Sequence, residues 1–250
     1  MCKAVLPRLL FALLGAGAAG GAHADAGKEE PTQVYVADGE LVYVGVLDNQ
    51  ANARLFALYD SLADKPAVLS IRSRGGTTGL GLALGRWVRD HKLDVKVMEY
   101  CMSSCANYVF PAGIHKLVSN FAVIGFHGGL SSKTFQFDPA TQTMLDALPP
   151  EKRKAMLDQI AATIQDDARQ EQAYFRTLGV RADYVTLGQE ERYQRRQRSD
   201  PNAVGWTYSL DDFARLGVRD ITVINPPWRP GSALKNMSFE MLRLDGSSLK

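Results

Sequence analysis

Ala67-Val68-Leu69-Ser70-Ile71, then Arg72-Ser73-Arg74-Gly75-Gly76, then Gly79 to Asp90 with Leu80, Leu84, Trp87 and Val88 on one helical face: this stretch decides the fold. A short apolar run that ends in a Gly-Gly turn reads as a buried strand. The 3.6-period segment after it reads as a crossover helix. Strand, turn and crossover helix together are the repeating unit of a parallel sheet. Upstream, Val34-Tyr35-Val36 and Leu41-Val42-Tyr43-Val44 flank the turn Ala37-Asp38-Gly39-Glu40, and Asn49 to Leu62 is helical with Leu55, Leu58 and Leu62 on one side. Downstream, Val95 to Met98 is another inner strand. Ser103 to Phe110 is a short apolar helix that ends near Pro111-Ala112-Gly113, and Ala122 to Phe126 is a strand that ends in His127-Gly128-Gly129. Ser209 and Asp212 form a capping box on a helix that Gly217 closes, and Asp220 to Ile224 is the last strand. The pattern predicts an α/β domain with a mostly parallel sheet.

Ser131 to Arg198 departs from this rhythm and reads as a helical insertion. Pro149-Pro150 opens a helix from about Glu151 to Leu178, in which Met156, Ile160, Ile164 and Ala168 recur at spacing four and Gly179 is the stop. That stripe reads as a packing surface, on its own domain or on a second subunit. The run Arg192, Arg195, Arg196 and Arg198 reads as a solvated face. Residues 226–250, with Pro226-Pro227 and Pro230-Gly231, read as an extended C-terminal tail.

The 250 residues carry 29 Lys plus Arg against 27 Asp plus Glu, with 46% hydrophobic and 22% charged residues. This is ordinary globular usage and excludes a disordered, collagen-like or supercharged chain. Three cysteines exclude a disulfide framework. Met1 to Ala24 has the form of a signal peptide. Lys3 and Arg8 precede the apolar run Leu9 to Ala19, which is too short to span a bilayer, and Ala22-His23-Ala24 fits the cleavage pattern. Cleavage after Ala24 removes Lys3 and Arg8 and no acid, leaving 27 bases against 27 acids. A neutral chain has no long-range field to hold polyanions, so nucleic acid is not an expected partner. No stable membrane insertion is expected after cleavage. Residues 25–32 read as a flexible leader, and 33–225 as the domain. Export places Cys101 and Cys105 in the oxidising periplasm or outside the cell, where ATP is absent.

The chemistry gathers between Gly75 and His127. Gly75-Gly76, Ser103-Ser104 and His127 all follow inner strands, and sites in α/β sheets gather at the carboxyl ends of strands. Ser104, at a helix N-terminus, is the expected nucleophile and His127 its base. The backbone N–H groups of Cys105 and Gly76 are the expected oxyanion donors, with Gly76 allowing close approach of the backbone. Cys101 and Cys105 read as a disulfide bracing the nucleophile turn or as two buried thiols, and export favours the disulfide. No metal is expected, because no second Cys or His pair lies nearby.

Several of these runs resemble the Clp-type serine proteases. Ser70 to Gly76 with Gly79-Leu80-Gly81-Leu82-Ala83 is similar to their strand, Gly-Gly turn and helix. Ser103-Ser104-Cys105-Ala106-Asn107-Tyr108-Val109-Phe110-Pro111-Ala112-Gly113 resembles their nucleophile helix. Counting back from Ala112-Gly113 puts the nucleophile on Ser104. Phe126-His127-Gly128-Gly129 resembles the strand end that carries the histidine, and Tyr208-Ser209-Leu210, Phe213 and Leu216-Gly217-Val218 the closing helix. The resemblance runs from about Val34 to Ile224 and diverges over Ser131 to Arg198. It implies a Clp/crotonase-like ββα spiral and peptide-bond hydrolysis by a Ser-His-Asp triad without a cofactor. Two positions depart from the pattern. Arg74 stands where the family has Pro, and counting back from Gly217 puts Gly205 where the family has Asp. The nearest acid is Asp200, and Asn202, Glu190 and Glu191 are the alternatives. Three readings follow. The first is an exported ATP-independent peptidase of flexible or unfolded chains, with homo-oligomerisation as in inserted-helix relatives. The second is a silent relative that binds peptides or a protein in the same groove. The third is an acyl-CoA enzyme of the wider superfamily, which export disfavours.

Overall fold

A computed structural model describes residues 30–132, 139–231, 234 and 236–245. Residues 1–24, read as a signal peptide, and residues 25–29, read as part of a leader, lie outside the described residues. A hairpin of β1 (Gln33–Ala37) and β2 (Glu40–Val44) leads to α1 (Asn49–Ser61), capped by the Asp48 carboxylate, which accepts from the Ala51 N–H at 2.7 Å. β3 (Val68–Arg72) and α2 (Thr78–Asp90) form the strand-turn-helix unit that the sequence announces, and β4 (Asp94–Val97) follows. Next come β5 (Tyr100–Met102), a π-helical turn (Cys105–Val109) running into a 3₁₀ turn (Phe110–Ala112), β6 (Lys116–Ser119) and β7 (Val123–Gly125). The insertion holds α3 (Pro139–Asp146), α4 (Pro150–Leu178), a 3₁₀ turn (Leu187–Gln189) and α5 (Glu191–Gln197). The chain closes with β8 (Ala203–Tyr208), α6 (Leu210–Arg215), β9 (Ile221–Ile224) and β10 (Ser238–Leu242).

Six strands form the main sheet in the order β1-β2-β3-β4-β6-β9, and every pair except β1–β2 is parallel. Two smaller parallel pairs, β5–β7 and β10–β8, lie beside it. The chain leaves β4 in the main sheet and β5 in the small one, then β6 in the main sheet and β7 in the small one. This is the expected α/β architecture with a mostly parallel sheet, and its alternation is compatible with a crotonase-like spiral. Strands β2, β3 and β4 are buried on one face only. Leu41, Tyr43, Leu69, Ile71, Val95 and Val97 face the core, while Glu40 with Lys96 and Arg72 with Glu99 pair across the other face.

Three elements depart from the sequence expectation. Lys116 opens β6, a strand that the sequence pattern does not announce. Its stem is buried and its Nζ reaches the Arg219 carbonyl at 2.9 Å, so a charged residue sits in a strand by extending to a polar acceptor. Desolvation lowers its pKa. β5 is three residues long and carries no period to read. β10 lies within the stretch read as a tail: it pairs with β8 and buries Leu242, and Leu244 is buried just beyond it. Among the described residues no helix is long and apolar enough to cross a membrane.

Candidate active site

β5 and β7 are parallel neighbours in the register Tyr100–Val123, Cys101–Ile124 and Met102–Gly125. Ser103 follows β5 and His127 lies two residues past β7, so the register alone brings them to the same edge. The Ser103 N–H extends the ladder by donating to the Gly125 carbonyl at 2.8 Å. Ser103 then turns sharply, with φ at 55°. A non-glycine residue in this region is uncommon and is held there by its surroundings. The turn aims the hydroxyl at the imidazole: His127 Nε2 lies 2.7 Å from Ser103 Oγ. Both residues are half-buried. Burial lowers the His127 pKa, and a hydrogen bond to its own backbone carbonyl offsets part of that.

The structure therefore pairs His127 with Ser103 and not with Ser104. Ser104 is 1% exposed and turns away from the site. Its hydroxyl accepts from the Gly76 N–H at 2.9 Å and donates to the Gly76 carbonyl at 2.8 Å, clipping the Ser103–Ser104 turn to the β3–α2 loop. The reason lies in the helix that follows. The Phe110 N–H donates to the Cys105 carbonyl, five residues back, so this turn holds one residue more than an α-turn. A count back from Ala112-Gly113 that assumes regular helix lands one residue late.

The two expected oxyanion donors do not face the Ser103 hydroxyl as expected. The Gly76 N–H is taken by Ser104, and the N–H next to the Ser103 hydroxyl in the chain is that of Ser104, not Cys105. Gly75, at φ 93°, is the glycine that presses on the turn: a Cβ there would lie 2.7 Å from Ser103 Cβ and 3.0 Å from Ser104 N. Its own N–H donates to Ser73 Oγ at 3.0 Å. Cys101 and Cys105 form the disulfide, with S–S 2.01 Å and Cα–Cα 5.3 Å, and so bracket Ser103 from both sides.

Asp200 is not beside His127. It is exposed, accepts from the Ser238 hydroxyl and the Asn202 N–H, and its pKa is lowered chiefly by the Ser238 bond. Glu190 pairs with Arg192, and Glu191 with Arg198. Among the described residues no carboxylate is hydrogen-bonded to His127. The place where the family resemblance puts the acid is adjacent to the histidine all the same. Gly205 of β8 lies against the Phe126 carbonyl so closely that a Cβ would collide with it. Trp206 and Phe126 exchange backbone hydrogen bonds at 2.8 and 2.9 Å. Phe126 itself is buried against Tyr184 and Tyr208, with ring centroids 4.9 and 5.3 Å away.

Sequence reasoning passed over Glu171 and Asn107. Asn107 Nδ2 donates to the Gly128 carbonyl at 2.7 Å, and Glu171, on α4, receives the loop after it. A signal for Glu171 existed. It extends the Met156-Ile160-Ile164-Ala168 stripe by one step of three, which makes it a charged residue on an apolar face.

No family model matches the chain, and no curated protein does. Among solved structures, the chain is similar to the enoyl-CoA hydratase from Thermoplasma volcanium GSS1, at 9% identity and a TM-score of 0.29. The similarity covers 36% of this chain and 49% of that one, so the chain spans about half of that protein's length.

Proposed function

We propose that the protein is a serine hydrolase of the Clp-like kind that cleaves peptide bonds with Ser103 as nucleophile and His127 as base. The observation that carries this reading is the 2.7 Å contact between His127 Nε2 and Ser103 Oγ, with Ser103 held at φ 55° on a strand-to-helix turn. Neutral His127 takes the hydroxyl proton as Ser103 Oγ attacks a carbonyl carbon, and returns it to the leaving amine. The developing oxyanion faces the start of the helix, where the Ser104 N–H and the positive end of the backbone dipoles lie. The pair works as a dyad, with the backbone carbonyl of His127 itself as the ring's other partner in place of a carboxylate. Water enters in the second half-reaction, so no nucleotide or cofactor is consumed. The substrate class is a flexible or unfolded peptide. The site of action is the periplasm or the exterior, a placement that the Cys101–Cys105 disulfide supports.

The lack of a carboxylate on His127 among the described residues favours a second reading, a silent relative that holds peptides in the same groove. Labelling with a fluorescent fluorophosphonate separates the two. The peptidase reading expects labelling of the mature chain that is lost in Ser103→Ala and His127→Ala. Well-folded protein that takes no label sinks it and leaves the binding reading.

A further inference from the structure

The hydroxyl and the imidazole meet across two separate segments, and something must fix one against the other. Ser103 sits at the head of the π-helical turn, and His127 sits at the head of the loop 127–132. Two buried side chains touch both segments: Asn107 of the turn, whose Nδ2 donates to the Gly128 carbonyl at 2.7 Å, and Glu171, which reaches them from outside. Glu171 is fully buried, about two turns before the C-terminal end of α4. Its Oε1 accepts from the Tyr108 hydroxyl at 2.5 Å and from the Leu130 N–H at 3.0 Å. Its Oε2 accepts from the Ser131 N–H at 2.9 Å and from the Ser131 hydroxyl at 2.6 Å. Two of the four donors are backbone N–H groups, which can only donate, and the pattern is that of a carboxylate satisfied on both oxygens. Tyr108 belongs to the nucleophile helix, and Leu130 and Ser131 to the loop of the base. The Tyr108 carbonyl is tied to α4 a second time, by the Tyr174 hydroxyl at 2.7 Å. Burial, and then the facing Glu171 carboxylate, push the Tyr108 phenol well above its ordinary pKa, so it remains a donor.

We propose that Glu171 is a positioning residue for the Ser103–His127 pair: its carboxylate ties the nucleophile helix, through Tyr108, to the loop that carries the base, through Leu130 and Ser131. The helical insertion thus acts as the buttress that holds the two reacting groups at hydrogen-bond distance. The inference rests on the serine hydrolase reading for its functional meaning, while the placement of His127 is measurable without activity.

The test is Glu171→Gln, which keeps the size and turns one oxygen into a donor facing donors. Two readouts are taken on the folded mature protein: the second-order rate of fluorophosphonate labelling, and the ring titration of His127 followed by NMR. Displacing a reacting group by about 1 Å can cost up to about a hundredfold, so labelling slows by roughly tenfold to a hundredfold. The His127 titration moves upward, toward the ordinary histidine value, as the loop opens to water. A His127 titration identical to wild type in folded E171Q overturns the proposal, because a merely structural carboxylate leaves that value unmoved. Should E171Q not fold, Ser131→Ala decides instead. It removes one of the four bonds and leaves the core intact, with a smaller upward shift expected and no shift overturning the idea. If wild type takes no label at all, the hydrolase reading falls, and the His127 titration still decides whether Glu171 holds the ring.

Discussion

Ser104→Ala separates the two adjacent serines by their physics. The substitution keeps Cβ and removes one buried hydroxyl that accepts from the Gly76 N–H at 2.9 Å and donates to the Gly76 carbonyl at 2.8 Å. A buried polar group that loses its partner costs about 1–3 kcal/mol. Gly76 is exposed, so water re-engages part of what is released and the cost falls to the low end, about 1–2 kcal/mol for the pair. In a chain of this size each kcal/mol moves the melting temperature by about 2–4 °C, so Ser104→Ala melts about 2–8 °C below wild type. Its labelling stays within about tenfold of wild type, because the hydroxyl that faces His127 is untouched. Ser103→Ala does the reverse: the label is lost and the melting temperature scarcely moves. Thermal unfolding and fluorophosphonate labelling of the same two proteins read both quantities. Loss of label in folded Ser104→Ala together with full labelling of Ser103→Ala refutes the assignment drawn from the His127 contact.

Burial lowers the His127 pKa, so its neutral, proton-accepting form persists to lower pH than for a free histidine. The labelling rate is expected to rise with pH through a midpoint below the ordinary value of about 6.5, and a midpoint above it contradicts the geometry. Asp200→Asn should label at the wild-type rate, since that carboxylate holds Ser238 and Asn202 and not the imidazole; a large loss of rate would return Asp200 to the site. Replacing both Cys101 and Cys105 by alanine removes a short covalent ring of sequence separation 4. Chain-entropy arithmetic for so small a ring gives a loss of about 2 kcal/mol, measurable as a lower urea midpoint, with slower labelling because the turn at Ser103 loses its brace.

What was legible in the sequence was whatever repeats with a period. Strands β2, β3 and β4 and helices α1, α2 and α4 announce themselves because burial on one side imposes alternation or a stripe. Gly179, at φ 68°, ends α4 where the pattern ends. What escaped was local and aperiodic. β5 is too short to alternate. Lys116 hides a strand behind a charge whose partner, the Arg219 carbonyl, lies far away in the sequence. Glu171 was visible as an anomaly on an apolar stripe, but its meaning depends on Leu130 and Ser131, which only folding brings to it.

The serine beside His127 was legible to within one residue, the acid and the oxyanion donors were not, and the serine is the instructive case. Cys101-Met102-Ser103-Ser104-Cys105 offers two chemically identical hydroxyls. Composition favours neither, and position at the helix start points to the second. The choice is made by two backbone events. The turn at φ 55° throws the first hydroxyl toward His127, and the π-turn from Cys105 to Val109 absorbs an extra residue before Pro111. The second hydroxyl is left pointing inward, where Gly76 is the partner within reach. The acid shows the same logic in reverse. Counting back from Gly217 leads to Gly205, beside Phe126, and there the strand lies so tightly against the Phe126 carbonyl that no side chain fits. A carboxylate restored by Gly205→Asp should therefore disrupt β8 rather than complete a triad. Its effect is a fall in melting temperature with no gain in labelling, and a gain in labelling by that variant would show that the strand can yield.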